Sequence, residues 1–330
     1  MRRRLKTGLL QRELNKGRTK NPRRALAISL AAALLVGLIV VPAVADESKG
    51  AFQAAVKALE WRNIGPFNGG RGSSVVGHPT DRQVFWFGHS SGGLWKTEDA
   101  GTYWQPVGQG QFRYASVGAI ALHEKNPDIM YVGLGEPQMR QSASWGDGVY
   151  KTTDGGETWQ HLGLDEARQI SQIIIHPDDP DHVYVSSMGR AWGPSPERGV
   201  FRTKDGGKTW EKVLFKNDLT GTIDMVMSPK DPKVLFAAMW TFERKAWGAF
   251  FGGPDGGLWK STDGGDNWTE ITDNEGLPEG SWGRVGLTMS AADPKRVYAL
   301  IDNETQQGLY RSDDVGETWR LVSTDANILA

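Results

Sequence analysis

Lys151-Thr-Thr-Asp-Gly-Gly-Glu-Thr-Trp159 sets a carboxylate in a glycine-rich turn, with hydroxyls on either side and an indole behind. The pattern returns as Thr97-Glu-Asp-Ala-Gly-Thr-Tyr-Trp104, Thr203-Lys-Asp-Gly-Gly-Lys-Thr-Trp210, Ser261-Thr-Asp-Gly-Gly-Asp-Asn-Trp268 and Ser312-Asp-Asp-Val-Gly-Glu-Thr-Trp319. Its aspartates, Asp99, Asp154, Asp205, Asp263 and Asp314, are spaced by 55, 51, 58 and 51 residues. A period of about fifty residues marks a repeat architecture.

The rest of each unit repeats as well. A short strand pattern (GLWK, GVYK, GVFR, GLWK, GLYR) precedes every box, and a β-rich run such as HVYVSSM or VLFAAMW precedes that. Earlier still come an apolar run and a turn rich in proline, as in QIIIHPDDP and DMVMSPKDP. Each unit therefore reads as four short strands, the content of a propeller blade. On the first strand one position is always apolar (Val75, Ile120, Ile173, Met225, Leu287), and the position before it is small or polar (Ser74, Ala119, Gln172, Asp224, Gly286). An inner strand packed between blades around an axis requires that pattern. The expected fold is all-β: a propeller of four-stranded blades with five blades visible, an open or incomplete ring, preceded by a signal or anchor helix.

The chain has 330 residues and no cysteine, so no disulfide supports it. Residues 1–24 hold ten basic residues and one acid, and the run 25–41, ALAISLAAALLVGLIVV, carries no charge before Pro42-Ala-Val-Ala45. That order reads as a signal peptide cleaved after Ala45, or as a retained anchor whose membrane attachment is through residues 25–41 alone. The segments are then 1–45 signal or anchor, 46–60 linker, 61–325 blades and 326–330 tail. Export places the blades in the periplasm, outside the cell or on its surface. Without residues 1–45 the net charge is −10, which gives no electrostatic reason to bind nucleic acid.

Five identical catalytic sites in one ring would be chemically odd, whereas identical turns are what a repeat requires. The aspartate accepts turn amides and the glycine two residues on supplies a left-handed backbone. The box is thus structural. It lacks the oxygen ligands of a calcium loop, the six histidines show no metal-ligand spacing, and no cofactor is expected.

The boxes resemble the BNR or Asp-box repeat of sialidases, xyloglucan-specific endoglucanases and the sortilin propeller. The stretches Trp61-Arg-Asn-Ile-Gly-Pro66, Gly133-Leu-Gly-Glu136 and Ala191-Trp-Gly-Pro194 are similar to those of exported bacterial proteins with a sortilin-like N-terminal propeller, often labelled glycosyl hydrolase-like. The likeness covers residues 60 to 322. It implies a propeller fold and, as activity, either binding or glycoside hydrolysis. Two departures weigh against an enzyme. The arginine-isoleucine-proline start of sialidases is missing from Arg62-Asn-Ile-Gly-Pro66, and Ser90 stands where xyloglucanases place an acid before Gly-Gly.

If the first strand descends, the boxes and proline turns share the bottom face and the loops between second and third strands share the top. Those loops are long in the second unit (Gly135 to Asp147), the third (Gly189 to Arg198) and the fourth (Thr241 to Gly256). They carry the binding candidates Glu136, Arg140, Trp145, Arg190, Trp192, Trp240, Arg244 and Trp247, with Asp147, Glu197 and Phe250 beside them. Arg71, Arg168 and Arg284 begin inner strands near the same face. Rings, arginines and acids together suit sugar stacking or peptide capture. The expected function is a binding module for an extracellular peptide, protein or glycan, with a xyloglucanase- or sialidase-like hydrolase as the alternative. An open blade edge also predicts self-association.

Overall fold

The computed structural model describes residues 71–329 and, before them, Gly50, Phe52, Ala54, Val56 and Lys57. The signal or anchor segment, most of the linker and the stretch 61–70 lie outside the described residues. Among the described residues no helix is long and apolar enough to cross a membrane. The chain divides into two compact units, Met1–Phe67 and Asn68–Ala330, and every strand among the described residues belongs to the second.

Five antiparallel sheets follow one another along the chain. The first holds β1 (Gly72–Gly77), β2 (Phe85–His89), β3 (Gly93–Thr97) and β4 (Gln105–Val107); the second holds β5 (Val117–Leu122), β6 (Met130–Leu134), β7 (Val149–Thr152) and β8 (Gln160–His161). The third comprises β9 (Ile170–His176), β10 (Asp179–Ser187), β11 (Gly199–Thr203) and β12 (Glu211–Leu214). The fourth comprises β13 (Thr220–Met227), β14 (Leu235–Lys245), β15 (Gly248–Phe251), β16 (Gly257–Ser261) and β17 (Thr269–Glu270). The fifth comprises β18 (Trp282–Met289), β19 (Val297–Asn303), β20 (Gly308–Ser312) and β21 (Arg320–Ser323). Each sheet is a four-stranded meander, as the repeat predicts, and the fourth adds β15 as a side hairpin on β14. The segment expected to be one long fourth loop is therefore mostly strand.

Consecutive sheets pack face to face, β1 on β5, β5 on β9, β9 on β13 and β13 on β18. Four apolar clusters fill the gaps. Trp86 and Leu94 meet Met130 and Val132; Tyr131 and Val149 meet Ile173 and Phe201; Tyr184 and Val200 meet Met225 and Trp259; Phe236 and Leu258 meet Val285 and Tyr310. Burying each such side chain stabilises by about 1.5–3 kcal/mol. The innermost apolar position is not equally covered along the stack. Ile173 and Met225 are 4% and 1% exposed, but Val75, at the same place in the first sheet, is 70% exposed.

The box turns lie where expected, between third and fourth strands. In the second sheet the Thr152 hydroxyl donates to Asp154 Oδ1 (2.6 Å) and accepts the Gly156 amide (3.1 Å), while Oδ1 also accepts the Thr158 amide (3.0 Å). Gly155 and Gly156 have φ of 74° and 100°, which the turn demands and glycine supplies without strain. The Gly155 amide then donates to Asp128 O of the preceding turn (3.1 Å), so boxes and proline turns do share one face. The same bonds recur about Asp99, Asp205, Asp263 and Asp314. The carboxylates lie toward the surface, and each box buries its hydroxyl.

These bonds favour the ionised carboxylate. The Asn267 amide and side chain, with the Ser261 hydroxyl, hold Asp263 at about 2, and the Thr152 and Thr158 hydroxyls hold Asp154 lower still. A carboxyl pKa depressed by folding adds stability above its unfolded value of about 4, and that stability is lost as pH falls through the folded value. Asp154→Ala is expected to lower the melting temperature at neutral pH, to flatten the loss of stability below about pH 4, and to leave top-face binding unchanged. Thermal melts across this acid range check it; an unchanged Tm would contradict the fastening role.

Candidate binding face

The top ends of the sheets carry two distinct features. Between the first and second sheets is a cleft of about 430 Å³, lined by Ser91, Tyr114, Ser116, Ser144 and Trp145 with Ala115 and Ala143. Beside it Arg71 forks onto Glu136, Nε to Oε1 at 2.5 Å and Nη2 to Oε2 at 2.7 Å, and Nη2 also reaches Ser142 Oγ at 3.3 Å. Glu136 is wholly buried, this hydrogen bond raises the pKa of Arg71, and the fork ties the two sheets together. Trp145 is 48% exposed, and the Arg168 guanidinium lies 5.5 Å from its ring centroid. Arg168 also donates to Glu166 (2.6 Å).

The second feature spans the third and fourth sheets. The β14–β15 hairpin pairs Phe242 with Phe251 and Arg244 with Ala249, and Trp247 at its tip is 82% exposed. Phe250 and Phe251 are also exposed, and Trp192 is 43% exposed beside Arg244, to which it forms a parallel bridge. Arg140 and Arg190 are exposed too, Arg190 donating to Pro194 O (2.9 Å).

Two candidates lie elsewhere. Trp240 is 5% exposed and stacks within a cluster of Phe242 and Phe251. Arg244 is buried, and its Nη2 donates to Met139 O of the second loop (2.8 Å) while its amide donates to Ala191 O of the third (2.9 Å). Both hold the loops together rather than present themselves. Trp145 lines the cleft, while Trp192 and Trp247 are exposed on the third loop and the hairpin of the fourth sheet. Arg71 and Arg168 each have an acid of their own, Glu136 and Glu166.

Sequence reasoning missed Tyr114 and the three serines of the cleft, because they are small or isolated side chains set among more conspicuous charged and indole residues. It also missed Arg198. That side chain is fully buried, its pKa is pulled down to about 10 by burial, and it donates to Leu219 O (2.8 Å) and Arg190 O (3.0 Å). Glu197 lies 3.6 Å from Lys212, and Asp147 is buried with its Oδ2 accepting the Tyr150 hydroxyl (3.0 Å). Burial pushes Tyr150 up to about 12, so it remains a donor.

The family model of sortilin (neurotensin receptor 3, Vps10) matches residues 147–250. A xyloglucanase of Acetivibrio thermocellus is 26% identical over 206 residues, which is 53% of this chain and 23% of that protein. The photosystem II assembly lipoprotein Ycf48 of Trichormus variabilis is 24% identical over 237 residues, 56% of this chain and 69% of that one. Among solved structures, an ancestral GH74 enzyme superposes with a TM-score of 0.58 at 18% identity, over 76% of this chain and 32% of the enzyme. The match thus spans about a quarter of the xyloglucanase's length. A hydrolase and an assembly protein are similar to this chain at nearly equal identity, so the likeness shows the fold and does not choose between activities.

Proposed function

We propose that this sortilin-like β-propeller is an exported binding module that holds an extracellular glycan on its top face, in the cleft beside Trp145. The cleft carries the reading. It combines ring surface with neutral hydroxyls, the pairing that suits a sugar, whose C–H face stacks on an aromatic while its hydroxyls exchange hydrogen bonds. The exposed rings Trp192 and Trp247 extend the contact for a longer chain. The xyloglucanase relatives support a saccharide as ligand.

A glycoside hydrolase remains the second reading, favoured by those same relatives. It requires two carboxylates about 5–10 Å apart across the bond to be cleaved. Glu136 is engaged by Arg71, Glu197 lies 3.6 Å from Lys212, and Asp224 accepts the Met225 and Leu287 amides (2.8 Å each), which supports binding over cleavage.

The experiment is calorimetry of the untagged protein with xyloglucan oligosaccharides of increasing length, alongside a reducing-end assay. Trp145→Ala is expected to weaken binding at least tenfold, as stacked hot-spot rings do, with Tm unchanged. Trp192→Ala and Trp247→Ala should weaken long oligosaccharides and spare short ones. Release of reducing ends would install the hydrolase reading, and equal affinity in wild type and Trp145→Ala would remove the cleft from the account.

A further inference from the structure

Beyond the cleft, at the outer edge of the second sheet, three groups that can bind metal come together from separate parts of the chain. Asp147 precedes β7, His161 ends β8, and Asp165 opens a short 3-10 turn at Asp165–Ala167. One ligand atom from each lies within 4.8 Å of the others. His161 Nε2 is 2.7 Å from the Asp147 carbonyl oxygen and 3.9 Å from Asp165 Oδ1.

Asp147 is the unusual member. Its side chain is 3% exposed, and while Oδ2 accepts the Tyr150 hydroxyl, Oδ1 has no hydrogen-bond partner. A buried carboxylate oxygen without a donor is costly, and a cation would satisfy it. The backbone around it is held rigidly. Gly148 has a φ of 102°, and a Cβ there would fall 1.9 Å from Gly163 O, so only glycine lets the Asp147 segment press against the segment between His161 and Asp165.

We propose that Asp147, His161 and Asp165 bind one divalent transition-metal ion of the zinc class. The donor set decides the class. One imidazole nitrogen with carboxylate oxygens suits zinc and its neighbours, whereas calcium takes six or more oxygens. Bond lengths of about 2.0–2.2 Å require the ligands to close slightly. Asp165 is exposed and can swing inward, whereas the His161 ring rests on Tyr150 and its Nε2 must exchange the Asp147 carbonyl for the ion, with the buried Asp147 as the fixed point. The ion would clamp the outer strand to the base of the loop that bears Trp145. The spacing hid this site, because a loop, a strand end and a turn each contribute one ligand.

The test is titration of Zn²⁺ into the metal-stripped, untagged protein, read by calorimetry and by Tm. The expected result is one ion per chain and a Tm that rises with Zn²⁺, since an ion that binds only the folded state stabilises it. His161→Gln and Asp165→Asn, both exposed sites, should each weaken binding at least tenfold and abolish the Tm response. His182→Gln, in the stacked His176–His182 pair, serves as the control and should change neither. Absence of binding, or binding that survives both substitutions, would overturn the proposal.

Discussion

Trp240→Ala is expected to destabilise the protein by about 3–5 kcal/mol, the usual consequence of emptying a large buried aromatic site. The ring is 5% exposed and packs on Phe242 and Phe251 beneath the hairpin. For a domain of this size each kcal/mol moves Tm by about 2–4 °C, so the melting temperature should fall by on the order of 10 °C. Trp247→Ala, seven residues away at the hairpin tip, is the contrasting case. Its ring is 82% exposed, so Tm should stay within about a degree and only ligand binding should change. Differential scanning calorimetry of the two variants separates the roles. Similar Tm losses would mean that the hairpin folds over its own tip.

Arg198→Ala has the other large expected effect. Its guanidinium spans two backbone carbonyls, Leu219 O and Arg190 O, across the third loop and the start of the fourth sheet. Removing it takes the donor from Arg190 O and leaves a cavity where the stem lay, while Leu219 O keeps the Phe242 amide (3.0 Å) and the cost of a buried cation is relieved. The net loss should be about 2–4 kcal/mol. Arg198→Lys should rescue little, because one ammonium on a flexible stem does not reproduce the planar fork. Denaturant unfolding measures both. If Arg198→Met proved more stable than the native protein, desolvation of the charge would outweigh its two bonds.

The blades were legible because period is a property of sequence. Five boxes at nearly equal intervals, each with strand patterns before it, define the sheets, and the hydroxyl, aspartate and glycine of each box define the turn that fastens them. The fourth top loop was misread for a reason equally visible in hindsight. From Trp240 to Arg244 buried and half-buried residues alternate, with Trp240, Phe242 and Arg244 on the inner face. That period of two is the signature of a strand. It was obscured because an arginine among aromatic residues suggests a binding loop. Composition shows which residue types are present, but only pairing shows which side faces solvent. The cleft and the Asp147–His161–Asp165 cluster are harder still. The cleft joins Ser91 to Trp145, fifty-four residues apart, through the stacking of two sheets, and the cluster gathers a loop end, a strand end and a turn of the second sheet.

The bond from Arg244 to Met139 O, with the Arg244 amide on Ala191 O, has a consequence for anyone re-engineering this surface. In many loop-bearing scaffolds one loop can be exchanged without disturbing the rest. Here a graft that replaced the β14–β15 hairpin would strip the second and third loops of a shared anchor, and a graft at Met139 would strand a buried guanidinium. Substitutions in the three loops should therefore combine non-additively, as residues within one network do. Libraries meant to redirect specificity belong at the projecting tips, Trp192, Trp247 and Phe250, with the Met139–Arg244 tie left intact.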